Sequence, residues 1–359
     1  MNDSKKWIEW VFLVTFVAIC LIGFFNYKVD SLSIFGNSNH VSRAAKSLTD
    51  GNMIAGLENF DERLLQELIV KNLEVRNSVI AVGSSKTMLL RKRFFLEDEI
   101  NFFNHSVSGA TLEDYISIVG LYELIYDYLP STIILGIDPW VFNKNNGQTR
   151  WKTLEKYYSY QLNKMSDRWE DTSIKLDVNK WKQLINYDYT VSNVVFLANL
   201  LRNDGNEFYI TKTIHVDDLV REVDGSINYP YIMRFPNQEK VRASALKHGK
   251  YPVYSLEDFN SLNNQKSFEK FVDYLQASQV EVIFFLPVYH PATYDLLINN
   301  PSYNIISEVE QYLVRLAAEK DISVKGSYNP HKFNLSNKDF LDGMHGDETV
   351  TKTIFLDGL

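Results

Sequence analysis

Ser78-Val79-Ile80-Ala81-Val82-Gly83, followed at once by Ser84-Ser85, is the stretch on which the fold turns. An unbroken apolar run rich in β-branched residues and closed by glycine fits a strand buried on both faces, which is the habit of parallel sheets covered by helices. Upstream, Leu64, Leu65, Leu68 and Ile69 recur at helical spacing and predict a helix over Asp61 to Leu73. Downstream, a second short strand is expected at Ile100 to Asn104 and an amphipathic helix over Thr111 to Tyr128. That helix opens on Thr111 with Asp114 three residues on, a capping box with the shorter acid. Thr132-Ile133-Ile134-Leu135-Gly136-Ile137 reads as a third buried strand, stopped by Pro139. Strand, helix and strand at this rhythm predict a parallel sheet with crossover helices.

The rhythm breaks at Trp140. The stretch from there to Phe259 holds Trp140, Trp151, Trp169 and Trp181 and several helical segments, one near Thr190 to Asn203. It reads as an aromatic-rich helical insert, a cap over the C-terminal edge of the sheet. The α/β pattern then resumes with a helix over Gln265 to Ala277, a strand at Val280 to Leu286, a helix over Ile305 to Lys320 and a short strand at Ile322 to Lys325. The expected fold class is α/β: a three-layer sandwich with a flavodoxin-like parallel sheet spanning residues 61–359, with the insert at 140–259.

The first residues have a different character. Lys5 and Lys6 precede an apolar run from Trp10 to Phe25 broken only by Thr15 and Gly23. The run is slightly shorter than the about 20 residues of a spanning helix, but Trp7, Ile8 and Tyr27 extend it into the interfaces. A cleaved signal peptide is the competing reading. The exit Gly23-Phe24-Phe25-Asn26-Tyr27 offers no small-x-small cleavage site, which favours a retained signal anchor. The lysines put the short N-terminal side in the cytoplasm and the main domain in the periplasm or cell exterior. Residues 1–28 are therefore read as cytoplasmic tip and single-pass membrane anchor, and the mixed polar and small residues 29–60 as a stalk.

Composition removes several classes of function. With a net charge of −8 and no long Lys/Arg tract, no nucleic-acid partner is expected. The single cysteine, Cys20, lies inside the apolar run, which excludes a disulfide framework and cysteine metal sites in the rest of the chain. The seven histidines show no metal-ligand spacing, and neither a metal nor another cofactor is expected.

Two short motifs carry chemistry. Gly83-Ser84-Ser85 lies between a buried strand and the helix-like Lys86-Thr87-Met88-Leu89-Leu90. A serine opening a helix would expose its hydroxyl at the C-terminal end of the sheet, where α/β proteins place ligands. The helix N-terminus would also favour negative charge on an attacked carbonyl oxygen. By itself the motif is usually just a turn with an N-cap. Asp342-Gly343-Met344-His345 can supply the rest: a serine hydroxyl needs a base, the base needs an orienting carboxylate, and one turn delivers both. By itself this pair reads as a surface Asp and His rather than a dyad.

Taken in order, Gly83-Ser84-Ser85, Asn104-His105-Ser106-Val107-Ser108-Gly109, Gly136-Ile137-Asp138 and Asp342-x-x-His345 resemble the blocks of the SGNH/GDSL hydrolase superfamily. The resemblance covers the strand ends over 70–140 and 280–350 and leaves out the insert. It implies Ser85 as nucleophile, His345 as base and Asp342 as its partner, with the backbone N–H groups of Ser85 and Gly109 in the oxyanion hole. Ser84 stands where the family has Asp, a change shared with the branch resembling the D-alanine-transfer proteins of teichoic-acid modification. Asp138 stands where the family has an oxyanion-donating Asn, and an ionised carboxylate cannot donate. Either it is protonated in a dry site, or it points elsewhere, or the activity is altered or lost; a cap before Pro139 is the structural alternative. His290, after the strand that ends in Leu286, and His105, in the second block, are candidate substrate contacts, with loop histidines as the plain alternative. Asp224-Gly225-Ser226 reads as a turn with no assigned function.

The resemblance implies acyl-ester chemistry, as O-acyltransferase or esterase, on a cell-envelope polysaccharide or glycolipid through an acyl-Ser85 intermediate. The partners it implies are the membrane, the glycan and a membrane-bound O-acyltransferase. The competing expectation is a catalytically silent binding or assembly protein of a surface-polysaccharide modification or export system, which Ser84 and Asp138 would suit.

Overall fold

The computed structural model describes residues 2–32, 34–36, 39–95, 100–166, 181–202, 207–251, 256 and 259–357. Trp169, one of the four insert tryptophans, lies outside them. The chain opens on α1 (Asn2–Val29), whose stretch Ser4–Val29 is long and apolar enough to cross a membrane; its most apolar part is not buried by the rest of the protein, and its exit is buried at Asn26. Helix α2 (His40–Thr49), strand β1 (Met53–Ala55) and helix α3 (Glu62–Lys71) follow.

The sheet that decides the fold holds β2 (Val79–Gly83), β3 (Phe102–Asn104), β4 (Thr132–Gly136), β8 (Glu281–Leu286) and β9 (Ser323–Gly326). Their order is β3-β2-β4-β8-β9 and every pairing is parallel, the 2-1-3-4-5 order of a doubly wound sheet. The strands alternate between two buried faces. Ile80, Val82, Ile133, Leu135, Phe284 and Leu286 pack under α4 (Leu112–Tyr126), α8 (Gln265–Ala277) and α10 (Ile305–Lys320). Val79, Ala81, Ile134 and Phe285 face the other way, toward α7 (Gln238–Lys250) and α11 (Glu348–Asp357). The result is the expected α/β layering, helix against sheet against helix. Thr111 caps α4 in a capping box with Asp114, as its sequence predicts.

Two parts differ from the sequence expectation. The expected stalk is folded from His40 onward: Val41, Ala44, Ala45 and Leu48, at one helical face of α2, pack with Ile54, Leu65, Ile69 and Phe103 in a separate small core. Strand β1 joins a second sheet, β5-β1-β6-β7, with β5 (Tyr209–Thr211), β6 (Val220–Arg221) and β7 (Ile227–Asn228) from the insert.

The insert, in turn, is not one cap. Its helix α5 (Glu155–Met165) lies on α4 at Gly120, where a Cβ would come within 2.5 Å of the Tyr157 carbonyl oxygen. Helix α6 (Tyr187–Arg202) runs from α1 toward α2, and α7 covers the second face of the main sheet. The β6–β7 hairpin clamps the segment after Ser85 and turns at Gly225, whose φ of +79° and closeness to the Asn104 carbonyl leave no room for a side chain.

Candidate active site

Gly83 and Gly136 end neighbouring strands in register, and both leave space that Thr87 fills. A Cβ at Gly83 would meet Thr87 Oγ1 at 2.3 Å, and one at Gly136 would meet it at 2.0 Å. The chain after β2 can therefore fold flat over the sheet end, and it does so as a run of tight turns, with Thr87 N–H donating to the Ser84 carbonyl at 2.9 Å and Leu90 N–H to Thr87 at 3.0 Å. This corrects the expected helix after Ser85: there is no helix dipole here to favour an oxyanion. Ser85 is left half-buried, with its hydroxyl at the C-terminal edge of the sheet.

The base arrives from the far end of the chain. Asp342 Oδ1 accepts the N–H of Met344 at 2.7 Å and of His345 at 2.8 Å, which closes the turn Asp342-Gly343-Met344-His345. Within that turn His345 Nδ1 lies 2.9 Å from Asp342 Oδ2, and Nε2 lies 2.9 Å from Ser85 Oγ. With Nδ1–H donating to the carboxylate, Nε2 is the acceptor for the serine hydroxyl. Burial opposes the charge on Asp342, but the hydrogen bonds and charge of His345 and the two N–H donors outweigh it and hold the carboxyl down at about 2.

The turn is itself braced. Leu341 N–H donates to the His345 carbonyl at 2.9 Å, and Gly343 lies so close to α7 that a Cβ would fall 2.5 Å from the Ala245 nitrogen. Thr293 Oγ1 is 3.0 Å from the carbonyl oxygens of both Ala245 and Gly343. The Tyr229 ring, from the residue after β7, lies 5.6 Å from the His345 ring. Beside Tyr229 is a cavity of about 160 Å³ that Leu89, Arg91, Asn228 and Phe235 also line. Larger cavities of about 550 and 480 Å³ lie elsewhere, against α2 and β5 and against α10.

The exit of β3 reaches the same edge, because His105 and Val107 continue the ladder by donating to the carbonyls of Ala81 and Gly83 at 2.8 and 2.9 Å. The following loop is pinned from outside. Ser108 N–H donates to Glu62 Oε2 at 2.6 Å, Arg63 Nη2 to the Ser108 carbonyl at 3.0 Å, and Gln148 Nε2 to the Gly109 carbonyl at 3.0 Å. Gly109 takes a φ of +56°, for which glycine is suited. Among the described residues no protein acceptor engages the N–H of Ser85 or Gly109.

Asp138 is fully buried and neither free nor a cap: it makes no side-chain hydrogen bond to the short helical turn Pro139–Phe142 that it precedes. Its Oδ1 lies 3.2 Å from Lys86 Nζ, a partner that nothing in the sequence suggests. The Lys86 ammonium rests 3.8 Å from the centre of the Tyr289 ring and 5.5 Å from that of Trp140. Burial pushes the Asp138 carboxyl up; the Lys86 charge and the Ser84 hydroxyl act against that rise.

The two candidate substrate histidines do not face the site opening. His105 is fully buried, with Nδ1 2.7 Å from Gln66 Oε1 and Nε2 2.7 Å from Tyr122 Oη, and burial lowers it to about 3. His290 is buried against Phe340 and caps α9 (Pro291–Ile298), its Nδ1 accepting the Ala292 N–H at 3.1 Å. Burial brings His290 down to about 4. Both side chains are closed off from solvent in this structure. Among the described residues no group of three or more His, Cys, Asp and Glu is arranged to hold a metal ion.

Ser85, His345 and Asp342 thus meet at one edge of the sheet, across 260 residues of chain. No family model, no curated protein and no solved structure matches the chain.

Proposed function

We propose that the protein is a serine acyl-transfer enzyme of SGNH type that works from a membrane anchor on an envelope polysaccharide or glycolipid outside the cytoplasm. The observation that carries this reading is the continuous hydrogen-bonded chain Asp342–His345–Ser85 at the C-terminal edge of the sheet. The order of the sequence blocks supports the family, α1 supports the anchor, and the lysines before it support export.

In this mechanism Ser85 Oγ attacks the ester carbonyl while its proton passes to His345 Nε2. Asp342 stabilises the imidazolium that forms. The N–H groups of Ser85 and Gly109 receive the oxyanion. Collapse breaks the ester C–O bond, the leaving oxygen takes the proton from His345, and the acyl group stays on Ser85. A sugar hydroxyl or water, deprotonated by His345, then releases it.

A fluorophosphonate tests the nucleophile. It should label Ser85, and His345→Ala should slow labelling by about 10³-fold while circular dichroism stays unchanged. Equal labelling rates in the two proteins would remove His345 from the mechanism. Loss of the protein should lower the O-acyl content of the envelope glycan; a rise would reverse the direction of transfer.

A further inference from the structure

The outer face of α6 is apolar where a helix facing water would be polar. Tyr187, Val191, Val194 and Leu201 share one side of it and are exposed, Val194 by 53% and Leu201 by 84%. Trp181 and Ile185, just before the helix, are exposed by 53% and 63%. The inward side carries Tyr189, Asn193 and Phe196, so the helix presents apolar side chains outward as well as inward, unlike a surface helix with one polar face.

The position of this face is fixed by polar contacts to the exit turn of α1. Asn26 Nδ2 donates to the Leu184 carbonyl at 2.9 Å and to Thr190 Oγ1 at 2.8 Å, and Asn193 Nδ2 donates to Asn26 Oδ1 at 2.9 Å. Ser31 N–H donates to Asn193 Oδ1 at 2.9 Å, and Tyr189 Oη to Asp30 Oδ1 at 2.7 Å. Asn26, Asp30, Ser31 and Asn193 are fully buried by this docking. Leu184 also lies against Gly23. Residues 184–193 therefore stand at the level where the apolar run of α1 gives way to Asn26, and their exposed apolar side chains continue the exposed apolar surface of α1.

We propose that this face rests in the boundary between headgroups and acyl chains of the bilayer that α1 spans, so that the insert is a second point of contact with lipid. The proposal rests on reading α1 as the anchor. A helix whose aromatic and aliphatic residues face outward at the exit of a spanning segment is suited to that layer, where tryptophan and tyrosine are favoured and apolar area is removed from water. Docking by the Asn26–Asn193 contacts would fix the tilt of the domain on the membrane and hold the catalytic edge in one orientation toward lipid-linked substrates.

The test uses the full-length protein carrying Cys20→Ser, reconstituted in phosphatidylcholine–phosphatidylglycerol vesicles. Single cysteines introduced by Ile185→Cys, Val194→Cys, Leu13→Cys and Val75→Cys are each labelled with a polarity-sensitive fluorophore. Leu13 lies in α1, and Val75 is exposed between α3 and β2. The expected result is blue-shifted emission at residues 185 and 194, strong quenching there by spin-labelled lipid, and neither effect at 75. If 13 responds to spin-labelled lipid while 185 and 194 respond only to aqueous iodide, as 75 does, the lipid contact is overturned and the face belongs to a protein partner. If 13 also fails to respond to lipid, the anchor reading falls with it.

Discussion

Ser85 is hydrogen-bonded to His345, and in the proposed mechanism the buried Lys86–Asp138 pair beside it bears on how that base would work. The sequence alone suggests that Asp138→Asn would restore a missing oxyanion donor and raise activity. The Lys86–Asp138 contact reverses that expectation. Both side chains are buried, and a neutral amide at 138 would strand the Lys86 ammonium among Tyr289 and Trp140. Breaking one partner of such a pair costs about 3–5 kcal/mol, so Asp138→Asn should lower the urea midpoint and slow the labelling of Ser85. Lys86→Met combined with Asp138→Leu removes both charges and should recover most of the stability. Labelling should remain slow in that double variant if the pair acts electrostatically on the turn that carries Ser85. Recovery of both stability and labelling would make the pair a packing device only.

Among the elements, the loop after β3 carries the Gly109 N–H that the proposed mechanism uses, and side chains from outside the main sheet hold it. Arg63 grips Asp114 through Nε at 2.9 Å and Nη2 at 3.0 Å, and the same carboxylate accepts the Thr111 N–H in the capping box of α4. Arg63→Met would leave Asp114 buried without its cation and should cost about 3–5 kcal/mol in urea unfolding. Gln148 separates position from stability. It is only half-buried, so Gln148→Ala should cost about 1–2 kcal/mol by the loss of its hydrogen bonds to the Gly109 carbonyl, to Asp114 Oδ2 and from the Arg150 N–H. If the Gly109 peptide must stay aimed at the oxyanion, labelling should slow about tenfold or more. An unchanged rate would take Gly109 out of the mechanism. These elements were unequally visible in the sequence. Val79–Gly83, Thr132–Gly136 and Glu281–Leu286 could be read because a strand buried on both faces is an uninterrupted apolar run. The Asp342–His345 turn could be read because three residues of spacing suffice to join the two side chains. Strand β1 could not, since its three residues are defined by pairing with Tyr209–Thr211, some 150 residues away. Lys86 could not either: its burial against Asp138 depends on how β2 and β4 lie side by side. Helix α2 did carry a signal, apolar residues at 41, 44, 45 and 48, but a short window of small residues is easily taken for linker.

At the scale of the whole molecule, pH acts through groups that are buried uncharged. His105 and His290 have ordinary values near 6.5 in the unfolded chain and are lowered by burial to about 3 and about 4 in the folded one. Between those limits the unfolded chain binds protons that the folded chain does not, so stability is full above the unfolded value and falls as pH drops through the window. Asp342 pushes the same way at lower pH, because its folded value of about 2 lies below the unfolded 3.8. Each proton taken up on unfolding contributes about 1.4 kcal/mol per pH unit, so the two histidines together allow a slope approaching about 2.7 kcal/mol per unit near pH 5. His290→Asn isolates one of them. Asparagine can still accept the Ala292 N–H as the N-cap of α9, so the cap survives while the titrating group is gone. Urea unfolding of the two proteins from pH 7.5 to 4.5 should give a shallower line for His290→Asn, by about 1.4 kcal/mol per unit at its steepest, with little difference at pH 7.5. Parallel lines would show that His290 is protonated in the folded protein as readily as in the unfolded chain. That would require its Nδ1 to release the Ala292 N–H and the turn into α9 to open, next to the Phe340 that leads into the Asp342–His345 turn.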